Sequence, residues 1–342
     1  MSTTVQGLRD FRGHIRHWMT HSGASLVVMV ERDPSAFQLQ TEWRAAGIDI
    51  TIIESKADQQ ERTASLLTAT YSFAKSRRLP TEWIIISDDN TFFPSIPRLL
   101  SRLAVYDHRV PFYIGAVSEP TKDLFEIGVF AYGGGGMVFS MPLLEELQPH
   151  VGECIELESD GGPDMRIARC VYRYTRTRLT IDWEMHQCDL LGDMDGMYES
   201  GFKPLTLHHW HDWAKLPADK VGLISPITGS ENLFQRWRSA DGRWVLTNGF
   251  SIVEFPGGIR PDMSKMEFTW AGEMKQFEQS LGAFREKLQK DTEKVSYRFV
   301  HAVHETSAVH QYYAHYDGDK IDRVIELIWL KDGRPYRIHG MN

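Results

Sequence analysis

Two adjacent carboxylates, Asp88 and Asp89, follow the apolar run 83–86 and are flanked by Ser87 and Asn90. Carboxylate oxygens are hard ligands, so the pair suits Mn2+ or Mg2+. An ion held there would neutralise charge on a diphosphate as it leaves. The plainer alternative is a solvated loop in which one Asp caps the next helix. A second cluster, residues 207–211, sets His208, His209 and His211 around Trp210. One neutral imidazole from it would complete a metal shell. For any single His, ordinary packing is the competing reading, and no Glu stands in the zincin arrangement.

Asp160 and Asp164 bracket a Gly-Gly-Pro turn. A carboxylate there either stabilises a helix N-terminus or acts as a general base toward an acceptor hydroxyl. Residues 133–136 are four glycines, and Gly134 and Gly135 would let a sugar or phosphate come close to the backbone. The run fits neither G-x-G-x-x-G nor the Walker A pattern. Arg62 is a candidate donor contact, with an exposed helical arginine as its alternative. Trp210 and Trp213 could offer an apolar platform to a sugar face, against plain indole packing.

These residues need elements to position them. Leu8, Phe11, Ile15, Trp18 and Met19 recur at helical spacing, so one amphipathic helix is expected before Gly23. Residues 25–31, 49–54, 83–86 and 111–117 read as strands. Residues 60–78 and 94–106 read as helices between them. Alternation of this kind predicts an α/β fold, a mostly parallel sheet flanked by helices. Ligands then gather at the carboxyl ends of the strands, where Asp88 and Asp89 stand. A short helix is expected over 141–147 and another from the 158–164 turn to about Tyr174. Beyond about residue 215 the pattern turns β-rich. Strands are expected near 243–247, 251–255, 297–303, 309–313 and 324–329, with residues 264–290 partly helical. The expected division is a domain of residues 1–214 and a β-rich accessory region of residues 215–342.

Bulk properties narrow the function. In 342 residues, 42% are hydrophobic and 25% charged, as in an ordinary globular chain with a real core. A net charge of -8 argues against nucleic-acid binding, which needs a basic face. No apolar stretch is long enough to span a membrane, and Arg9, Asp10, Arg12 and Arg16 interrupt any signal-peptide core. The three cysteines are too few for a disulfide scaffold. One bridge with one free thiol would pair Cys154 with Cys170, and three reduced buried thiols is the alternative.

Taken in order, several segments resemble the Fringe-like β-1,3-glycosyltransferases of family 31, the fungal members and their plant relatives above all. They are Trp83-Ile-Ile-Ile-Ser-Asp-Asp-Asn90, Tyr113-Ile-Gly-Ala-Val-Ser-Glu119 and Ala131-Tyr-Gly-Gly-Gly-Gly-Met-Val-Phe-Ser140, followed by Gly162-Pro-Asp-Met-Arg-Ile-Ala-Arg-Cys170, His186-Gln-Cys-Asp-Leu-Leu-Gly-Asp193 and Pro204-Leu-Thr-Leu-His-His-Trp210. The likeness covers roughly residues 20–215 and, less specifically, the region to about 330.

The resemblance implies a GT-A fold, a UDP-sugar donor, a glycan or glycoprotein acceptor, Mn2+ and inversion at the anomeric carbon. It implies metal binding by Asp89, with Asp88 beside it, and by His208, with His209 close by. It implies a catalytic base at Asp164. Two positions depart from the pattern: Ser87 stands where the first acidic residue is usual, and Pro163 precedes Asp164, which makes Asp160 a second candidate base. Family members are typically Golgi membrane proteins, whereas no anchor is written in this chain. Two other classes stay open: a carbohydrate-binding protein on a decayed transferase fold, and a metal-dependent hydrolase.

Overall fold

The computed structural model describes residues 1–342 other than 21, 78–79, 159–160, 214–215, 260, 332–334 and 342. The candidate Asp160 and the expected boundary at 214/215 therefore lie outside the described residues. The chain forms two compact units, Met1–Asp189 with Leu205–His209, and Leu190–Pro204 with Trp210–Asn342.

In the first unit the apolar run folds as β2 (Leu26–Glu31), between β1 (Ser2–Thr3) and β3 (Ile50–Ser55), and all pairs are parallel. Residues 26–30 are all buried, the pattern of a strand covered on both faces. Helix α1 (Val5–Asp10) and α2 (Arg12–Met19) replace the single expected helix. The break falls at Phe11, whose backbone leaves the helical region (φ -95°, ψ 7°), so Leu8 and Ile15 are both buried but on separate helices. Helix α3 (Ala36–Ala45) packs on β3 through a face that includes the buried Leu39 and Trp43, one turn apart. Helix α4 (Gln59–Ser76) packs on β1, β2 and β4 (Trp83–Ile86), and Asp58 caps it by accepting from the Glu61 amide at 2.9 Å.

The expected third and fourth strands do not extend the parallel sheet. β4, β5 (Tyr113–Gly115), β6 (Met137–Ser140) and β7 (Leu179–Ile181) form a separate mixed sheet in the order β4-β6-β5-β7. β6 enters between β4 and β5 and runs antiparallel to both; only β5 and β7 are parallel. β5 is shorter than the expected 111–117 because the Ala116 carbonyl leaves the ladder to accept from the Tyr132 amide at 2.9 Å. Helix α5 (Ile96–Leu103) is likewise shorter than 94–106, starting after its N-cap Ser95.

Below this sheet, α7 (Met141–Leu147), α8 (Val151–Ile155) and α9 (Pro163–Tyr174) pack on α4, around a core of Phe139, Leu143, Leu147, Ile167 and Val171. (The exposed turn Thr121–Glu126 is α6.) Cys154 of α8 and Cys170 of α9 form a disulfide in that core, with Cα atoms 5.2 Å apart, and Cys188 is a buried free thiol.

In the second unit an antiparallel seven-stranded sheet runs β10 (Arg236–Arg238), β11 (Trp244–Thr247), β12 (Ser251–Glu254), β15 (Val295–His304), β16 (Ala308–Asp317), β17 (Lys320–Leu330) and β18 (Pro335–Met341), with the short pair β13 (Met266–Glu267) and β14 (Phe284–Arg285) outside it. The β-rich character is as expected, and the partly helical reading of 264–290 holds for the 3-10 turn Met274–Gln276 and the four-residue helix Glu278–Leu281, which lie between β13 and β14. Gly272 and Gly282, at φ 112° and 90°, interrupt any longer helix. Phe268, Trp270, Phe277 and Phe284 instead pack ring against ring, 4.8–5.8 Å apart. Lys294, fully buried, is held by Glu199 at 3.2 Å and Glu267 at 3.0 Å, the pairing that makes a buried ammonium tolerable.

The Cys154–Cys170 bridge closes a loop with a sequence separation of 16. Replacing both by Ala should lower unfolding free energy by about 3 kcal/mol, the chain-entropy value for such a loop. Urea titration of parent and variant reads this directly, and coincident midpoints would show that the bridge adds nothing.

Candidate active site

The loop after β4 is stapled to the strand that carries the histidines. The Thr91 amide closes a turn on the Asp88 carbonyl at 3.3 Å. Phe92 and Leu207 exchange both backbone hydrogen bonds, at 2.8 and 2.9 Å. Leu207 ends β9 (Thr206–Leu207), which pairs with β8 (Met185–His186). The next side chain, His208, then meets Asp88, Nε2 to Oδ2 at 3.6 Å. The imidazole is buried, while 48% of the Asp88 side-chain surface meets solvent. Partial burial, and then the crowding carboxylates of Asp164 and Asp89, raise the pKa of the Asp88 carboxyl.

The glycine run explains this closeness. Gly133–Gly135 form one 3-10 turn, fully buried. A Cβ on Gly134 would lie 2.2 Å from His208 Nδ1, and one on Gly135 would lie 2.8 Å from the Ala116 Cβ. What comes close to the backbone at Gly134 is therefore the imidazole itself. The Thr91 hydroxyl donates to the Gly134 carbonyl at 3.0 Å and the Thr206 hydroxyl to that of Gly135 at 2.7 Å.

Asp164 stands in the first turn of α9. Its Oδ2 accepts from the Gly133 amide at 3.0 Å and its Oδ1 from the Met165 amide at 2.8 Å. Burial raises its pKa against the lowering effect of these bonds. A Cβ on Gly133 would sit 3.5 Å from the Asp164 Cβ and 3.7 Å from Asp88 Oδ1, so the two acids border the same residue. Asp88, Asp164 and His208 are thus gathered around Gly133 and Gly134.

The other candidates are placed differently. Asp89 accepts from the Thr3 hydroxyl and lies against Gly7. Arg62 is buried rather than exposed. It donates to the Ala57 carbonyl at 2.7 Å and to Ser2 Oγ at 3.3 Å, and so anchors β1. Ser87 is buried and Asn90 half-buried in the turn. His209, in the left-handed region at φ 50°, packs its ring 3.9 Å from that of His208 and sets Nε2 3.7 Å from Asp189 Oδ1. Trp210 belongs to the second unit, where it is buried against His211, and Trp213 of that unit is exposed.

A further polar cluster of the first unit escaped the reading of individual residues. Glu119, almost wholly buried, accepts from the amides of Cys188 at 3.0 Å and Asp189 at 2.8 Å, with His186 Nδ1 at 3.2 Å. This holds Cys188 at φ 62° and aims Asp189. Gln187 accepts from the Gly135 amide at 2.9 Å. The Ser118 hydroxyl reaches Asp123 Oδ2 at 2.8 Å and Asp189 Oδ2 at 2.6 Å but has one proton to give. A proton on one carboxyl serves the second contact, and burial followed by the Glu119 charge pushes Asp189 up to about 7. Glu119 and residues 186–189 lie in motifs visible in the sequence; their far-reaching backbone contacts are not.

Among the described residues no group of three or more His, Cys, Asp and Glu side chains is gathered to hold a metal ion. Asp88 and His208 fit one as a partial shell, a carboxylate oxygen and an imidazole nitrogen being ordinary ligands of divalent ions.

A family model described as Fringe-like matches residues 25–210. Chondroitin sulfate synthase 3 of Mus musculus is 30% identical over 112 residues, which is 31% of this chain and 13% of that protein. Chondroitin sulfate synthase 3 of Homo sapiens matches with the same identity and coverage. The matched stretch is thus a small part, 13%, of these curated relatives.

Two measurements probe this geometry. Gly134→Ala must displace the His208 ring, so its melting temperature should fall by several degrees; a parent-like melt would mean the loop moves freely. For Asp189, the folded carboxyl near 7 lies above the ordinary value of 3.8. The folded state then binds the extra proton between these values, and stability falls as pH rises through that window. Asp189→Asn removes this penalty. It should therefore melt above the parent at pH 8, with the gap closing by pH 4, and a pH-independent difference would contradict the assignment.

Proposed function

The chain belongs to the Fringe-like family, and on that footing we propose that it is an inverting glycosyltransferase of GT-A fold, moving a sugar from a UDP-sugar to a hydroxyl of a glycan or glycoprotein in β-1,3 linkage. The observation that carries this reading is the convergence of Asp88, His208 and Asp164 on Gly133 and Gly134. We assign transfer to residues 1–214 and an accessory role to residues 215–342.

Asp164 is the general base in this scheme. Its raised pKa makes it a stronger proton acceptor than an ordinary aspartate, and its bonds to the Gly133 and Met165 amides fix its orientation. It takes the proton of the acceptor hydroxyl as the oxygen attacks the anomeric carbon from the face opposite the leaving nucleotide. Asp88 and His208, with Asp89 beside them, hold Mn2+ or Mg2+. When bound, such an ion neutralises the charge that builds on the departing diphosphate. The curated relatives are named for chondroitin sulfate synthesis, which supports a glycan as acceptor. The Cys154–Cys170 bridge supports the oxidising lumen of the Golgi as the setting. Among the described residues no helix is long and apolar enough to cross a membrane.

The bond from Thr3 to Asp89, with Ser87 and Pro163 at positions that are usually acidic, favours a second reading, sugar binding without transfer. A screen of UDP-sugars with Mn2+ separates the two. Transfer should stop in EDTA and in Asp88→Ala. Asp164→Asn should lower kcat by about 100-fold or more, the scale of a lost general base, with donor affinity little changed. Activity that survives chelation removes the metal role, and an unchanged kcat in Asp164→Asn removes the base.

A further inference from the structure

We propose that Tyr132, Asp123 and Asp189 form a subsite that holds an uncharged sugar of the acceptor by its ring hydroxyls, next to Asp164. This extends the transferase reading and rests on it for the word acceptor. The groups themselves are assembled whether or not transfer occurs.

Tyr132 directly precedes Gly133, the residue bonded to Asp164. Its ring stacks on Phe130, centroids 4.5 Å apart and planes 5° apart, and its amide is tied to the Ala116 carbonyl at 2.9 Å. Only 8% of the residue is exposed, and its hydroxyl has no hydrogen-bond partner among the described residues. A buried hydroxyl left unsatisfied is costly, so a phenol held this firmly at such a place marks a position where a partner is expected. Burial and then the charges of Asp189, Asp123 and Asp164 keep this hydroxyl protonated, as a donor set among carboxylates.

Asp189 and Asp123 supply the complementary acceptors. The Ser118 hydroxyl engages one oxygen of each, and their other oxygens bring further acceptor lone pairs. Asp189 is only partly covered, with 18% of its side chain open, and the Glu119 clamp on the left-handed Cys188 backbone fixes its direction. A polyol matches this set: one sugar hydroxyl accepts from Tyr132 while its neighbours donate to the carboxylates. A uronate or a sulfated sugar does not, because a site built of carboxyl groups, with Asp123 and Glu119 among them, would oppose its charge.

The test uses the full chain with UDP and Mn2+ present. Saturation-transfer NMR measures the affinity of methyl β-glucoside, methyl β-galactoside and methyl β-glucuronide. At least one neutral glycoside should bind, and the glucuronide should bind at least about tenfold more weakly than it does. Tyr132→Phe keeps the ring stack and removes one oxygen; it and Asp189→Asn should each weaken the neutral glycoside about tenfold, a loss of one hydrogen bond. Asp189→Asn should also narrow the discrimination against glucuronide. Circular dichroism confirms that both variants are folded. Failure of both neutral glycosides to bind, equal binding of the glucuronide, or unchanged affinity in folded Tyr132→Phe and Asp189→Asn overturns the subsite. A parent chain that binds in this pattern but transfers from no UDP-sugar supports the subsite and removes the transferase reading alone.

Discussion

The imidazole of His208 lies where a side chain at residue 134 would have to be. The ring reaches that place because Phe92 and Leu207 bind each other through both backbone bonds, which ties the loop after β4 to the residue before His208. The same glycine turn presents the Gly133 amide to Asp164 and the Gly135 amide to Gln187. Four separate stretches of chain are thereby referred to one short piece of backbone. A functional group carried on any of them inherits its position from the absence of side chains at residues 133–135.

Electrostatics gives that geometry its chemical character. Asp88, Asp164 and Asp189 all sit above the ordinary aspartate pKa, Asp164 and Asp189 chiefly through burial and Asp88 through partial burial and the acids beside it. Acids gathered in this way oppose one another, and each raised pKa records the cost of holding the charged form there. The buried charges of the second unit are arranged in the opposite manner. There Lys294 is matched by Glu199 and Glu267, and Arg285 by Glu267 at 2.7 Å, so the acids are answered within the chain. The contrast is between acids matched by bases of the same unit and acids set close to one another.

Much of this could be read from the residues alone, for reasons that can be named. The run at 26–30 is apolar at every position, which few environments other than a covered strand allow, and α7 begins where Pro142 suits a first helical turn. The Asp pair, the histidines and Asp164 announced themselves by type. What stayed hidden depends on contacts distant in sequence. Nothing near Asp89 signals that Thr3 will bind it. Glu119 acts on amides about seventy residues away, so its role has no local pattern. The place of β6 between β4 and β5 is a matter of strand order, which periodicity does not encode. In residues 264–290 aromatic packing and two glycines in left-handed conformations keep the helical part short.

The path of the chain between its two units has a practical side. Leu190–Pro204 leaves the first unit and folds with the second, and the chain then returns only for Leu205–His209, the stretch that ends in the site histidines. Among the departing residues are Asp195 and Glu199, whose counter-ions Lys290, Lys294 and Arg298 come from much later in the sequence. No single cut can therefore free the amino-terminal half as a self-sufficient piece. On a ribosome, Asp195 and Glu199 emerge well before the basic residues that answer them.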